Sequence, residues 1–429
     1  MDGYLPLSSI EFDKLHFSTK AEEIAEFIKG VPNNIPYAIS INGSWGSGKS
    51  TMLNFIEEKL NTGLCKVVRF NPWMINTKEE LILYLFEEIY DCIDKGHTKA
   101  KEKFKSYALK ISSPLARLAT IAVSMGQGVP APVATPVANG VGDMVKETGE
   151  AIFNKPLSKR KKDLIDELET MFIENGQKII VMIDEVDRLF PDEIINIFQL
   201  IKSTLDLPGL FFVVAMDETA VCDALENKGV KQPSIYLQKI FQRKYIVNSQ
   251  YQLRTLFEEF ITNPIKKSVD KHNCDLVYLI DTFIELNEYN RLGDTGNHYI
   301  DLLQDIRVHF ENPRAFVKFK DFLLEKWEDY HNEIPKGIDH NLALQIAFVI
   351  LITFYLYPEY INPKFSTYSY IYQNNDKSIP PLVLKANNII LRISDGRKLE
   401  VDKLVKDIVY NLNKYPDYIR LQQKQFMNI

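Results

Sequence analysis

A glycine-rich stretch between two apolar segments carries the residue types that hold phosphate groups. Its members are Gly43, Ser44, Trp45, Gly46, Ser47, Gly48, Lys49, Ser50 and Thr51. Glycines let successive backbone N–H groups turn toward an anion, and the N-terminal end of a following helix attracts the same charge. The spacing Gly-x-x-x-x-Gly-Lys-Ser is that of a phosphate-binding loop. We expect a nucleotide here, with Lys49 on the β- and γ-phosphates, Ser50 on Mg²⁺ and Thr51 on the α-phosphate.

A pair of carboxylates follows the apolar segment at 178–183. Asp184 and Glu185 come first, and Asp187 and Arg188 complete the box. The carboxyl end of a buried parallel strand lies at the ligand-binding edge of its sheet, so we expect Asp184 to accept a Mg²⁺-bound water and Glu185 to orient the attacking water. This second carboxylate favours a hydrolase over a small-molecule kinase. The alternative is a solvated strand end with an ion pair to Arg188.

The elements that position these residues follow from hydrophobic periodicity. Strands are predicted over 37–42, 66–70, 178–183 and 210–215, and helices over 12–30, 49–60, 77–93, 161–174 and from Pro191 onward. Strands that alternate with helices indicate a parallel sheet with helical crossovers. The expected fold class is α/β, a P-loop NTPase parallel sheet with helices on both faces, followed by a mostly helical lid and C-terminal region. A small terminal strand pair is the remaining strand signal, over 388–401.

The composition suggests three parts. We predict a P-loop NTPase domain over 1–250, with an insertion at about 100–160, then a helical lid over 251–330 and a C-terminal helical region over 331–429. The insertion is predicted because a basic run gives way to a low-charge Gly/Pro/Ala segment at 112–142, which ends at a second basic run.

Charge and cysteine content exclude several classes of protein. The 429 residues carry a net charge of −6, which argues against a chain-wide basic surface for nucleic acid. The basic clusters at 99–110 and 158–162 leave a local contact with a phosphate backbone open, although solvated helix faces are the simpler interpretation. The four cysteines are dispersed, without metal-ligand spacing or a disulfide framework, and this favours a reducing, cytoplasmic location.

Two stretches raise the question of a membrane. Residues 342–357 are almost entirely apolar, but the run is shorter than the roughly 20 residues that span a bilayer. We predict a buried core helix there. Glycine and proline interrupt the stretch 112–142, and the N-terminus is mixed and acidic rather than a secretory signal. Stable membrane insertion is therefore not expected.

Five motifs in order resemble the KAP P-loop NTPases of the additional-strand class. They are the loop with Trp45 inside it, Phe70-Asn71-Pro72-Trp73, the acidic box from Asp184 to Leu189, Tyr236-Leu237-Gln238-Lys239-Ile240, and Asn312-Pro313-Arg314. The resemblance spans roughly residues 10–325. It implies ATP as the nucleotide and a helical lid in which Arg314, near a helix start, stabilises charge on the γ-phosphate. An arginine on a solvated helix end is the alternative.

The same resemblance implies a biological setting. Many members insert transmembrane helices between loop and acidic box, where this chain has the segment 112–142. Prokaryotic members are linked to phage exclusion, and relatives in the wider class assemble as nucleotide-controlled switches. We therefore expect an ATP-hydrolysing switch or motor, a homo-oligomer with an operon-encoded partner, acting in defence. A nucleic-acid-dependent ATPase and a non-hydrolysing nucleotide-bound scaffold are the alternatives.

Several residues keep two interpretations. Asp217, after the strand at 210–215, either senses the γ-phosphate or caps a helix that begins at Glu218. Trp45 and Trp73 either pack together or in the core, or stack on the ligand. His16 or Phe17 is expected to lie near the adenine of the nucleotide, because the N-terminal segment precedes the first strand. Arg188 and Arg243 are weaker candidates for an arginine that acts across a subunit interface. The simpler interpretation is that each forms a structural ion pair within the chain.

Overall fold

The computed structural model describes residues 5–60, 63, 65–74, 78–93, 96–111, 157–248, 256, 258–268, 313–332, 339–357, 383, 386, 390 and 396–413. The chain divides into two compact units, one of residues Pro6–Val247 and one built mainly from residues after Val247. The domain limits expected from composition remain predictions.

A five-stranded parallel sheet forms the centre of the first unit. Its strands are β1 (Tyr37–Asn42), β2 (Cys65–Phe70), β3 (Lys178–Ile183), β4 (Leu210–Met216) and β5 (Arg243–Ile246). Their spatial order is β2-β3-β4-β1-β5, and all neighbours are parallel. The strand that leads into the glycine-rich loop is thus separated by β4 from the strand that leads into the acidic box. This is the additional-strand arrangement, and the predicted α/β class is confirmed.

Helices cover both faces of the sheet. They are α1 (Phe17–Gly30), α2 (Lys49–Leu60), α3 (Lys78–Cys92), α4 (Thr98–Ile111), α5 (Leu157–Asn175), α6 (Pro191–Gln199), α7 (Glu218–Asn227) and α8 (Pro233–Ile240). Side chains of α3 to α8 pack with alternate residues of β3 and β4 in one core, and α2 contacts β4. Every residue of β3 and β4 is buried, as expected for central parallel strands.

The start of α1 and the presence of β5 differ from the prediction. The helix predicted over 12–30 begins only at Phe17, because the Asp13 carboxylate accepts the N–H groups of Leu15, Phe17 and Ser18 at 2.8–3.1 Å. This local capping competes with helix continuation. The edge strand β5 was not predicted, since it has four residues of which three are exposed and it lacks an apolar pattern.

The helix pair α4 and α5 packs against the end of α6. After Gln199, α6 widens into a π-helical turn, Leu200–Thr204. The Tyr107 hydroxyl donates to Thr204 O at 2.9 Å, and Lys161 Nζ donates to Ser203 O at 2.8 Å. These bonds satisfy carbonyls that the π-turn leaves without a regular helical partner.

Replacing Tyr107 by phenylalanine is expected to change the alkaline stability of the protein. Burial, with a smaller contribution from Asp206, raises the pKa of Tyr107 from 10.0 to about 12. The folded state therefore keeps a proton that the unfolded state loses, and stability that is complete below pH 10 is lost as the pH rises toward 12. We expect a loss of about 1–2 kcal/mol by pH 11.5, since one pKa unit corresponds to about 1.4 kcal/mol and the titration is incomplete at that pH.

In Tyr107→Phe this part of the alkaline loss should vanish. The variant should also be less stable than the wild type at pH 8 by about 1 kcal/mol, the net value of one hydrogen bond. Free energies of unfolding in urea at pH 8, 10 and 11.5 measure both effects. If the free energies of unfolding of the two proteins changed in parallel with pH, the prediction for Tyr107 would be wrong.

The second unit is helical in its described part. It contains a π-helical turn at Glu258–Thr262 and the helices α9 (Asn263–Ser268), α10 (Pro313–Asn332), α11 (His340–Leu356) and α12 (Lys398–Asn413). The side chains from Leu342 to Leu344 and from Ile346 to Phe354 in α11 are buried on all faces, and α10 and α12 contact this helix. The predicted core helix at 342–357 is confirmed.

The terminal strand pair predicted over 388–401 is wrong where it can be checked. Residues 398–401 lie in the first turn of α12, whose buried Val401, Leu404, Val405 and Ile408 recur at helical spacing. Among the helices of the described ranges, none has both the length and the apolar run needed to cross a bilayer. The segment 112–142 lies outside the described residues.

Candidate nucleotide-binding site

The glycine-rich loop connects β1 to α2 and closes tightly on itself. Gly46 and Gly48 have left-handed backbone angles, with φ 84° and φ 100°. A Cβ on Gly43 would lie 2.3 Å from Ser47 Oγ, and a Cβ on Gly48 would lie 2.6 Å from Phe17 Cε2. Three of the loop positions therefore require glycine for stated geometric reasons. Ser44 and Trp45 are exposed at the tip of the loop.

Lys49 begins α2 and folds back over the loop. Its Nζ donates to Gly43 O at 2.9 Å and to Ser44 O at 3.3 Å, and it lies 3.9 Å from Asp187 Oδ2. The side chain is only 9% exposed. A buried ammonium group thus lies inside the loop among acceptors. The buried Ser47 Oγ of the loop and Asn42 Oδ1 at the end of β1 have no hydrogen-bond partner among the described residues. Unsatisfied polar atoms in such a cradle are an indication of a polar ligand.

Hydrogen bonds join Thr51 and other side chains of α2 to the N-terminal segment. Thr51 Oγ1 accepts the Leu7 N–H at 3.1 Å, and Asn54 Nδ2 donates to Leu7 O at 2.8 Å. The Ile10 N–H donates to Glu58 Oε2 at 3.1 Å. The segment therefore runs along α2 beside the predicted ligand residues Ser50 and Thr51. The predicted contact of Thr51 with an α-phosphate stays a prediction.

Glu185 is held by two donors at the end of β3. Asn71 Nδ2, just beyond the end of β2, donates to Glu185 Oε2 at 2.9 Å, and Arg188 pairs with Glu185 Oε1 at 2.8 Å. The backbone of Glu185 is left-handed, with φ 61° and ψ 27°, which is uncommon for a residue with a side chain. The arrangement fixes one carboxylate at the sheet edge, as a water-orienting base requires.

The other acids of the box lie on either side. Asp184 Oδ1 accepts the Glu185 N–H at 2.8 Å, and the Asp184 N–H donates to Phe70 O at 3.3 Å. Asp184 is thereby anchored between β2 and β3, and its role at Mg²⁺, like that of Ser50, remains a prediction. Asp217 Oδ1 accepts the N–H groups of Thr219 and Ala220, so its capping interpretation is confirmed.

The three candidate arginines have different surroundings. Arg188 pairs with Glu185, whereas Arg243 lies 3.8 Å from Glu23 and over the rings of Phe27 and Tyr245 at 4.5 and 4.8 Å. Arg314 lies in the first turn of α10, which begins at Pro313 as expected, within the second unit. Its contact with a nucleotide stays a prediction, and Asn312 lies outside the described residues.

The aromatic residues near the loop are partly corrected. Trp45 and Trp73 are 42% and 53% exposed, so core packing is wrong for both. Phe17 is buried and packs against Gly48, which makes it a support of the loop. His16, with φ 56°, precedes α1 in a left-handed conformation. A stacking role for the tryptophans and the adenine contact of His16 or Phe17 remain untested.

Two contacts were missed by the sequence analysis. Asn71 was noted within a motif but received no role, and Asp187 was treated only as a member of the acidic box. A polar residue directly after a strand next to the acidic-box strand would have been a usable signal for Asn71, since parallel strands end at a common edge. For Asp187 no local signal exists, because its partners Lys49 and Asp217 are distant in sequence.

Comparisons with known proteins agree with this geometry. The KAP family P-loop domain matches residues 17–319, well over half of the chain. The Phage T7 exclusion protein of Escherichia coli (strain K12) is 23% identical over 334 residues, which cover 73% of this chain and 44% of that protein. The chain therefore spans less than half the length of this relative.

Solved structures resemble the chain only loosely. The Aeropyrum pernix ORC1 protein in complex with DNA is 14% identical, covers 96% of this chain and 95% of its own, and has a TM-score of 0.28. The Aeropyrum pernix ORC2 protein is 12% identical, covers 96% and 98%, and has a TM-score of 0.31. Nothing about the ligands of this chain follows from similarities this weak. By the match over residues 17–319, the chain belongs to the KAP family of P-loop domains.

Proposed function

We propose that the protein binds ATP with Mg²⁺ and hydrolyses it, as a switch or motor that drives assembly or the action of a partner protein. The observation that carries this proposal is the meeting of the glycine loop and the acidic box at one sheet edge, where Lys49 Nζ lies 3.9 Å from Asp187 Oδ2. A loop for phosphates and a held carboxylate for water are the two parts that NTP hydrolysis needs.

The residues of the loop and the acidic box fit both ATP and Mg²⁺. Loop N–H groups with Lys49 would hold the phosphates, and the unpartnered Ser47 Oγ and the left-handed glycines support a phosphate cradle. Ser50 and Asp184 are the oxygen donors that suit Mg²⁺, which neutralises charge on the phosphates when bound. Glu185 would orient a water and accept its proton, while Asn71 and Arg188 set the direction of its carboxylate. Arg314 is proposed to stabilise charge on the γ-phosphate from the lid.

Anti-phage defence is the proposed biological role. It is supported by the 23% identity to a phage T7 exclusion protein, whose name describes that protein alone. A homo-oligomer and an operon-encoded partner are proposed because the wider class works through assembly. The cytoplasm remains the proposed location.

A nucleic-acid-dependent ATPase is the second candidate, and the basic helices α4 and α5 favour it. However, several basic side chains of these helices already contact other groups of the protein. Lys103 pairs with Glu167 at 2.7 Å, Lys101 lies 4.5 Å from the ring of Tyr90, and Arg160 donates to Ser106. Side chains engaged in this way are less available to phosphates, so this function ranks below the first.

Steady-state ATP turnover of the purified protein, without nucleic acid and with DNA or RNA added, tests the proposal. We expect Mg²⁺-dependent turnover that nucleic acid does not change. Stimulation that disappears at high salt would support the second candidate, because phosphate contacts weaken as salt rises. Tightly retained nucleotide without turnover would contradict hydrolysis and leave a nucleotide-bound scaffold.

A further inference from the structure

A nearly buried carboxylate lies between the loop and the end of β4. The Asp187 side chain is 9% exposed. Its Oδ2 lies 3.9 Å from Lys49 Nζ, and its Oδ1 accepts the Asp217 N–H at 3.2 Å. The short 3₁₀ turn that carries it, Val186–Arg188, contacts both β4 and α7. Asp187 thus joins the loop lysine to the strand inserted between β1 and β3.

The two contacts of Asp187 have different functions. The backbone N–H of Asp217 belongs to a rigid position, since Asp217 directly follows β4 and its side chain caps α7 through Thr219 and Ala220. A bond from such a group fixes the direction of the Asp187 carboxylate. That carboxylate then presents negative charge to Lys49, whose other acceptors are the neutral carbonyls of Gly43 and Ser44.

We propose that Asp187 is a positioning residue that aligns Lys49 with the γ-phosphate. The inference rests on the proposed ATP hydrolysis and concerns the same site. Electrostatic stabilisation is most effective when the charged group is already fixed before the reaction. In the structure the Lys49 ammonium donates to the loop carbonyls of Gly43 and Ser44, and the Asp187 charge 3.9 Å away attracts it toward the acidic box. Without that charge, only the loop carbonyls would direct the ammonium.

The variant Asp187→Asn tests the charge beside Lys49 separately from the hydrogen bond with the Asp217 N–H. Asparagine keeps an oxygen for the Asp217 N–H but removes the negative charge beside Lys49. We expect kcat to fall about tenfold, ATP affinity to weaken about threefold and ADP affinity to stay the same, because the displaced ammonium should keep its contact with the β-phosphate and lose the one with the γ-phosphate and its transition state. The melting temperature should fall only slightly, because the Lys49 ammonium keeps its acceptors at Gly43 O and Ser44 O and asparagine keeps the bond from the Asp217 N–H.

Two further variants sharpen the test. Asp187→Ala removes the backbone bond as well, so it should lower both kcat and the melting temperature. Asp192→Asn is the matched control, because this carboxylate is 70% exposed and pairs with Lys228 on the surface. Its kcat and its ADP and ATP affinities should equal those of the wild type.

The outcomes separate this inference from the proposed function. An unchanged kcat in Asp187→Asn would overturn the inference, and so would equal losses of ADP and ATP affinity with a lowered melting temperature, which indicate a structural role. If the wild type does not hydrolyse ATP, the proposed function fails, and the inference is judged by binding alone. A preference for ATP over ADP that falls about threefold in Asp187→Asn would then still support it, and an unchanged preference would overturn it.

Discussion

Glu185→Gln is expected to lower ATP turnover by about 100- to 1,000-fold while ATP still binds, since a positioned general base contributes on this scale. The glutamate is held at the end of β3 by the Asn71 amide at 2.9 Å and by Arg188 at 2.8 Å. Glutamine has nearly the same shape and retains an oxygen for Asn71, so the geometry of the sheet edge is preserved. What it loses is the negative charge that we propose polarises the attacking water.

Single-turnover hydrolysis and equilibrium binding of labelled ATP separate the two effects. The free energy of unfolding should change by no more than about 1 kcal/mol, because the Glu185–Arg188 pair is partly exposed. Glu226→Gln, on the exposed side of α7, is the control and should behave as the wild type. Turnover of Glu185→Gln within threefold of the wild type would mean that another group activates the water.

Lys49→Ala is expected to weaken ATP binding by about 100-fold, a loss in the range of a strong charge-assisted hydrogen bond. Two effects act in the same direction. The β- and γ-phosphates lose their cation, and Asp187, which is 9% exposed, is left facing them with an unopposed charge. Isothermal titration with ATP in the presence of Mg²⁺ measures the change.

The second effect can be isolated by a double variant. Lys49→Ala should also lower the free energy of unfolding by about 1–3 kcal/mol, because it strands a buried carboxylate. Adding Asp187→Asn should recover most of that stability and part of the affinity, since the uncompensated charge is then gone. ATP affinity of Lys49→Ala equal to that of the wild type would rule out the loop as the phosphate site.

Much of the first unit could be predicted from local pattern. The limits of β1, α2 and β3 agree with the prediction at every residue, because apolar runs and the glycine loop mark them directly. Errors occur where a side chain overrides periodicity. The Asp13 carboxylate delays α1, and the exposed residues of β5 hide a strand whose pairing with β1 is set by the sheet alone.

The two tryptophans also show that local pattern does not determine which apolar residues are buried. Trp45 and Trp73 were compatible with a core, yet both are substantially exposed. Hydrophobicity indicates which residues favour burial, but it does not determine which of them find space inside once the helices are in place. Conversely, α11 was predicted correctly as a core helix because its apolar residues surround the helix on every side.

The sequence by itself determined the loop, the acidic box and the alternation of strands and helices, since each depends on residues within a few positions of one another. Only the tertiary structure decided that β4 lies between β1 and β3, that Asn71 reaches Glu185, and that Asp187 stands between Lys49 and the backbone of Asp217. The partners in these contacts are 30 to 138 positions apart. Their meeting depends on strand order and on the common edge at which parallel strands end, neither of which local propensity encodes.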